Sequence, residues 1–250
     1  MINNDEIIRL AKIRYKNDKY CDACEKSGRL FYLDKDNQVN HSYCTCFLKI
    51  TKTEKYPILL NSSRIPKAAW KFNFSEYKNT GCNPAEIDNN NKSLEKIKTL
   101  SKSISEFISN GSNIFIQGQQ GTGKTIIACL MARYAMLQGF QCAYVQFQSL
   151  MELFFNKNDE SSDWIDYIRY CKFLVLDDVD KFKTDSNYQE VLFDRIIRPR
   201  VQNQLSNCYV SLIPFNQISS MIGFSNQGLI EEKCEVVTFV GMNSRKNNNV

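Results

Sequence analysis

Histidine occurs once in the 250 residues, at position 41, and no apolar run approaches the roughly 18–20 residues that cross a bilayer. The sequence thus excludes a membrane-spanning segment, and no membrane partner is expected. The N-terminal stretch MINNDEIIRLAKIRYK lacks the basic start and uninterrupted apolar core of a secretory leader. The expected location is therefore the cytoplasm, that of a host cell if the chain is phage-encoded. No repeat with a 20–50-residue period is visible, which excludes a repeat architecture. A strong basic excess is also missing. The formal charge of +5 comes from residues 1–110, with 19 Lys/Arg against 13 Asp/Glu, while residues 111–250 hold 13 against 14. This imbalance is too mild to define a nucleic-acid partner.

What is present is the composition of a globular protein, 43% hydrophobic and 24% charged. Ten cysteines in an intracellular chain read as buried thiols or metal ligands, not as a disulfide framework. Two connecting stretches are visible: Pro57 to Pro66, and the polar, Asn-rich KNTGCNPAEIDNNNK of 78–92. Beyond them the periodicity is regular. A helix capped by Ser93 carries Leu94, Ile97, Leu100, Ile104, Phe107 and Ile108 on one face. Strands are expected at 113–118, 142–147, 173–178, 208–213 and 235–240. Helices are expected at 125–138, near Ser149, at 163–171, and at 188–205 with a kink at Pro199. Apolar strands alternating with helices predict an α/β fold, a parallel sheet covered on both faces that binds ligands at its C-terminal ends.

Gly118-Gln119-Gln120-Gly121-Thr122-Gly123-Lys124-Thr125 fits G-x-x-x-x-G-K-[ST] and lies where a strand ends and the helix at 125–138 begins, and these residues with Ile126 are expected to bind the nucleotide. Such a loop turns its backbone N–H groups onto phosphate oxygens, and the helix N-terminus adds the positive end of its dipole. Lys124 is expected at the β/γ-phosphates of ATP or ADP, and Thr125 on Mg²⁺. The run Phe173-Leu174-Val175-Leu176-Asp177-Asp178 places two carboxylates at a strand end. Asp177 fits the residue that holds Mg²⁺, and Asp178 the one that orients or deprotonates water. A slow ATPase is expected, because Asp178 is one methylene shorter than Glu.

From about Arg64 to Arg245 the sequence resembles the AAA+ module of bacterial and phage replicative helicase loaders of the DnaC/DnaI type. It resembles less closely the IstB-type transposition helpers. The carrying stretches are RIPKAAWKFNFSEY, NIFIQGQQGTGKTIIACLMARYAMLQG, CAYVQFQSLMELF, FLVLDDVDKF, VLFDRIIRPRV and VTFVGMNSRK. The resemblance implies a five-stranded AAA+ sheet, a polar sensor after the fourth strand, for which Asn216 is the candidate, and a second sensor at Arg245. It also implies an arginine finger, yet no Arg lies between Arg200 and Arg245. Lys233 is a poor substitute because an ammonium lacks the planar fork. Arg195, Arg198 and Arg200 are possible replacements for the finger, but on a helix they read more simply as an exposed basic face.

Cys21-x-x-Cys24 and Cys44-x-Cys46, separated by 19 residues, have the spacing of a structural Zn²⁺ site with a hairpin between the pairs. His41 could replace one thiolate. Cys82, Cys129, Cys142, Cys171, Cys208 and Cys234 read as core. The expected organisation is a small zinc-binding, partner-docking domain at 1–60, a linker at 61–92, and the AAA+ P-loop domain at 93–250. With the resemblance, these features imply an ATP-dependent loader of a hexameric, DnaB-type replicative helicase onto single-stranded DNA, self-associating or assembling on the helicase. A transposition helper acting on duplex DNA and a non-hydrolysing nucleotide-binding adaptor are the alternatives.

Overall fold

Strands that are apolar on both faces are stable only when both faces are covered. The computed structural model describes residues 4–14, 16–34, 38–155, 159–181 and 188–244. The chain divides into two compact units, residues 1–58 and 59–250.

The first unit holds helix α1 (Asn4–Arg14) and an antiparallel hairpin of β1 (Arg29–Leu33) and β2 (Val39–Tyr43). Helix α2 (Thr45–Ser62) follows, and the division falls within it. The hairpin register pairs Phe31 with His41 and Arg29 with Tyr43. Tyr43 stacks on Phe47 at 4.6 Å, and Phe47 meets Tyr20 at 5.7 Å. Cys24 and Cys44 are buried.

The second unit is built on five parallel strands: β3 (Asn113–Gly118), β4 (Cys142–Gln146), β5 (Phe173–Asp177), β6 (Ser206–Ser211) and β7 (Cys234–Phe239). Their order is β4-β5-β6-β3-β7. The helices are α3 (Pro84–Lys102), α4 (Ile104–Ser109), α5 (Lys124–Leu137), α6 (Phe147–Phe155) and α7 (Asp159–Tyr170). Then come α8 (Tyr188–Leu192), a π-helical turn (Phe193–Ile197), α9 (Arg198–Gln202), α10 (Ser219–Ile222) and α11 (Phe224–Glu231). Alternation along each strand sorts the side chains by face. Phe115, Ala143, Val145, Leu174, Leu176 and Tyr209 join one core with residues of α6, α7, α8, α10, α11 and the π turn. Their strand neighbours, such as Tyr144 and Asp177, point to the other face, against which α5 packs. Among the described residues, no helix is long and apolar enough to cross a membrane.

Five strands appear where they are expected, with ends shifted by one or two residues. The helix expected from Ser93 instead begins at Pro84, capped by the Asn83 side chain at 3.0 Å from the Glu86 N–H. It ends at Lys102, and α4 continues separately. Part of the stretch expected to be a linker is therefore helix. Its Asn90 is fully buried, accepts from the Val240 N–H at 2.9 Å and donates to the Val240 carbonyl at 2.8 Å. Asn89 and Ser93 both donate to the Thr238 carbonyl at 2.9 Å. These amides and the hydroxyl satisfy backbone groups at the C-terminal end of β7's outer edge, which among the described residues has no further strand beside it.

The helix expected at 188–205 also differs. Proline has no N–H for the carbonyl four residues back, and the structure answers with the π-helical turn just before Pro199 instead of a simple kink. This turn carries Arg200 inward, correcting the expected exposed basic face. Arg200 is fully buried and donates to the carbonyls of Ile168 (2.5 Å), Cys171 (2.9 Å) and Ser206 (2.9 Å) and to Asn207 Oδ1 (2.6 Å). Arg198 is half-buried on Asp194, while Arg195 is exposed over the Phe154 ring. Four buried acceptors lose their donors if the guanidinium is removed. Arg200→Met is accordingly expected to destabilise the protein by about 3–5 kcal/mol, seen as a drop of about 10 °C in the unfolding midpoint. Arg195→Met should change it little; an unchanged midpoint for Arg200→Met would contradict the assignment. The scattered cysteines divide as well: Cys129, Cys142, Cys171 and Cys208 are buried, but Cys82 is exposed and Cys234 only half-buried.

Candidate functional site

The chain leaves β3 at Gly118, turns through residues 119–123 and enters α5 at Lys124. Two glycines permit that path. Gly118 has φ 134°, and a Cβ there would lie 1.8 Å from the Phe239 carbonyl oxygen. Gly121 has φ 80°, and its Cβ would meet the Asn243 Oδ1 at 1.9 Å. Gly118→Ala should therefore cost at least about 1–3 kcal/mol from the backbone alone, with displacement of the β7 end. An unfolding midpoint equal to that of the unaltered protein would refute this.

Gly123 precedes α5 without a capping side chain, which leaves the first amides of the helix free for an anion. Thr122 is buried, its hydroxyl donating to the Gln119 carbonyl at 2.9 Å. Lys124 is 6% exposed and its Nζ donates to the same carbonyl at 2.6 Å. Burial lowers its ammonium to about 8, against the pull of Asp180, Asp177 and Asp178.

Asp177, at the end of β5, is also buried. It accepts from Thr125 Oγ1 at 3.0 and 3.2 Å, from the Tyr144 hydroxyl at 2.8 Å and from the Asp178 N–H at 3.0 Å. Burial raises its carboxyl above the usual range, with repulsion from Asp178 adding to the shift and the hydroxyl donors opposing it. Asp178 has left the strand with φ 56°, and its carboxylate bridges to Lys181 at 2.6 Å.

These groups share a crevice of about 430 Å³ whose walls include Gln120, Lys124, Thr125, Tyr144, Asp177 and Asp178. Ile126 also lines it, as do Pro66 and Ala68 from the leading segment. Arg133 on α5 holds that segment by donating to the carbonyls of Ala69 (2.8 Å) and Phe72 (2.6 Å). The stretch after β7 closes another side. Ser244 Oγ donates to the Gly121 carbonyl at 2.6 Å, and the Gly241 N–H to Gln119 Oε1 at 2.8 Å.

Not every expected residue is brought here. Asn216 is exposed and does not line the crevice; from the region of the β6 end, Val210 and Leu212 do. Arg245 lies outside the described residues. Lys233 sits before β7, at the opposite end of the strands, donating to the Asn110 carbonyl at 3.1 Å. A cavity of about 510 Å³ beside it is lined by Glu106, Glu231, Glu232 and Glu235 among others. It lies away from the carboxyl ends where open α/β sheets bind ligands. Sequence reasoning missed Tyr144, Lys181 and Ser244. Tyr144 reads as one more apolar strand residue, and only the sheet shows that it faces Asp177.

In the first unit, the four cysteine sulfurs lie within 4.8 Å of one another. Cys21 is 3.9 Å from Cys24 and 3.8 Å from Cys44, and Cys24 is 3.6 Å from Cys46. A tetrahedron with Zn–S bonds of 2.3 Å has edges of about 3.8 Å, so the set has the dimensions of a Cys₄ zinc site. The Gly28 N–H donates to Cys24 Sγ at 3.3 Å. His41 is outside the group, its ring between Phe31 and Tyr43.

A five-stranded parallel sheet bearing a P-loop after β3, with an acidic pair leaving β5, defines an AAA+ P-loop nucleotide-binding domain. The IstB-like ATP binding protein family matches residues 64–243, and the chain belongs to that family. Among solved structures, one described as the DnaC helicase loader is 19% identical, with a TM-score of 0.59 over 70% of this chain and 99% of that one. DnaI is 15% identical, with a TM-score of 0.56 over 72% and 94%. A primosome component, so described as putative, from Streptococcus pyogenes serotype M3 is 16% identical, with a TM-score of 0.53 over 75% and 97%. These likenesses show the fold. No curated protein sequence matches the chain.

Proposed function

We propose that this chain is an ATP-switched loader of a hexameric replicative helicase, delivering it to single-stranded DNA, with slow ATP hydrolysis. The observation that carries the nucleotide part is the Thr125–Asp177 contact beneath the glycine loop. Thr125 spends its proton on Asp177, which leaves its oxygen lone pairs turned toward a cation. Thr125 and Asp177 would hold magnesium, which when bound offsets phosphate charge. The amides of Gly121 to Thr125 bind the phosphate oxygens, and Lys124 exchanges the Gln119 carbonyl for the β/γ-phosphates. Asp178 orients the attacking water once its bridge to Lys181 opens. The second-sensor role of Arg245 rests on the resemblance alone, and the exposure of Asn216 lends its sensor role no support.

The loader part rests on likeness along nearly the full length of the chain described as the DnaC helicase loader and on a cysteine cluster dimensioned for zinc in a separate unit, suited to docking a partner. Its test is co-purification of the intact protein with the cell's replicative hexameric helicase. Association that changes with ATP is the expected result; no association with or without ATP overturns it. The family match favours one second reading, an IstB-like transposition helper. That protein would bind duplex DNA in an ATP-dependent manner and ignore the helicase.

A further inference from the structure

We propose that Tyr144 is a positioning residue for the metal half of the nucleotide site, fixing the Asp177 carboxylate in the orientation that receives a magnesium–nucleotide complex. The inference rests on the nucleotide reading above and concerns a residue that no motif marks.

The placement follows from the sheet. In the parallel pairing of β4 with β5, Tyr144 lies opposite Val175, and Gln146 lies opposite Asp177. Tyr144 and Asp177 are thus diagonal neighbours on one face, a separation that a long aromatic side chain spans. The phenol reaches Asp177 Oδ2 at 2.8 Å. The ring is 9% exposed and lines the crevice beside Thr125. Three donors therefore surround one carboxylate: Tyr144 on Oδ2, the Asp178 N–H on Oδ1, and Thr125 shared between both oxygens.

Each donor has a different freedom. The Asp178 amide is fixed by the backbone. Thr125 must keep its proton on Asp177 while its lone pairs serve the cation. Tyr144 stands on the neighbouring strand and on neither motif, so it holds the carboxylate whatever happens at the phosphates. A phenylalanine in its place keeps the ring and its packing but frees Oδ2. The carboxylate can then rotate about its terminal bond, whose torsional wells are broad. A rotated carboxylate withdraws the acceptor from Thr125 and misaligns the pair for the metal. Binding that does not involve the metal, through the loop amides and Lys124, is untouched.

The test is Tyr144→Phe in the full-length protein, read by titration with a fluorescent ATP analogue in excess Mg²⁺ and in EDTA. The unaltered protein is expected to bind more tightly with Mg²⁺. In the variant, the Mg²⁺-dependent gain should shrink about 10–100-fold, as for loss of one hydrogen bond to a charged group, while affinity in EDTA stays within twofold. The Mg²⁺ concentration giving half-maximal binding should rise in parallel. An unchanged Mg²⁺ gain overturns the positioning role, as does an equal loss with and without the metal, since that marks a general packing effect. Failure of the unaltered protein to bind the analogue at all overturns the nucleotide reading instead, so the two failures are distinct. Circular dichroism of Tyr144→Phe, expected to match the unaltered protein, excludes a fold defect as the cause.

Discussion

Lys124→Ala is expected to weaken ATP binding by about 100-fold or more. The ammonium is buried, it donates to the Gln119 carbonyl at 2.6 Å, and its proton is held less firmly than that of an exposed lysine, near 8. Desolvation is what lowers it. A triphosphate brings negative charge to that ammonium and converts a neutral-acceptor contact into charge-assisted ones, each worth about 1.5–3 kcal/mol. Two such contacts correspond to about two to four decades in affinity. The fold itself should tolerate the change, because alanine removes a buried charge whose main cost is desolvation. Titration with a fluorescent ATP analogue checks the affinity, and thermal unfolding without nucleotide checks the fold. Binding within threefold of the unaltered protein would refute the assignment of the glycine loop.

Removing zinc should produce the second large effect, unfolding of residues 1–58. Two cysteines of the cluster, Cys24 and Cys44, are buried in that unit. Its exposed apolar residues include Leu30, Tyr32, Leu33, Tyr43 and Leu48. A unit of fewer than sixty residues buries too small a fraction of its surface to offset its chain entropy unaided, whereas structural zinc supplies about 10–16 kcal/mol. The full-length protein is expected to contain one zinc per chain by elemental analysis. Chelation, or Cys24→Ser, should open residues 1–58 to proteolysis while the fragment beginning near residue 59 persists. Cys82→Ser alters an exposed thiol outside the cluster and should change neither reading. A protein free of zinc, or equally resistant to protease after chelation, would refute the site.

The same contrast between local and long-range information runs through the fold. The glycine loop was legible because its function is a local backbone shape: glycines at fixed offsets between an apolar strand and an apolar helix. The acidic pair on β5 was legible for a similar reason, since four apolar residues followed by two carboxylates mark a buried strand reaching a polar edge. The cysteine pairs were legible because chelation demands short spacing. Asn216 could not be placed from sequence, since its exposure depends on the short helical turn at Phe215–Gln217. On a helix in sequence Arg200 reads as surface, and only the assembled ends of α7 and β6 provide the carbonyls that accept it. The Asn-rich stretch around 89–91 was read as a linker because asparagine favours turns.

The sequence by itself determined the α/β class, the glycine-rich turn, the acid pair and the two pairs of cysteines, because each is written in residues close together along the chain. Only the tertiary structure decided that Asn90 seals the edge of β7, that Arg200 ties the sheet to α7 and that Tyr144 reaches Asp177. Those contacts join residues far apart in the chain, and their partners are backbone carbonyls or diagonal neighbours that become adjacent only once the strands are in register.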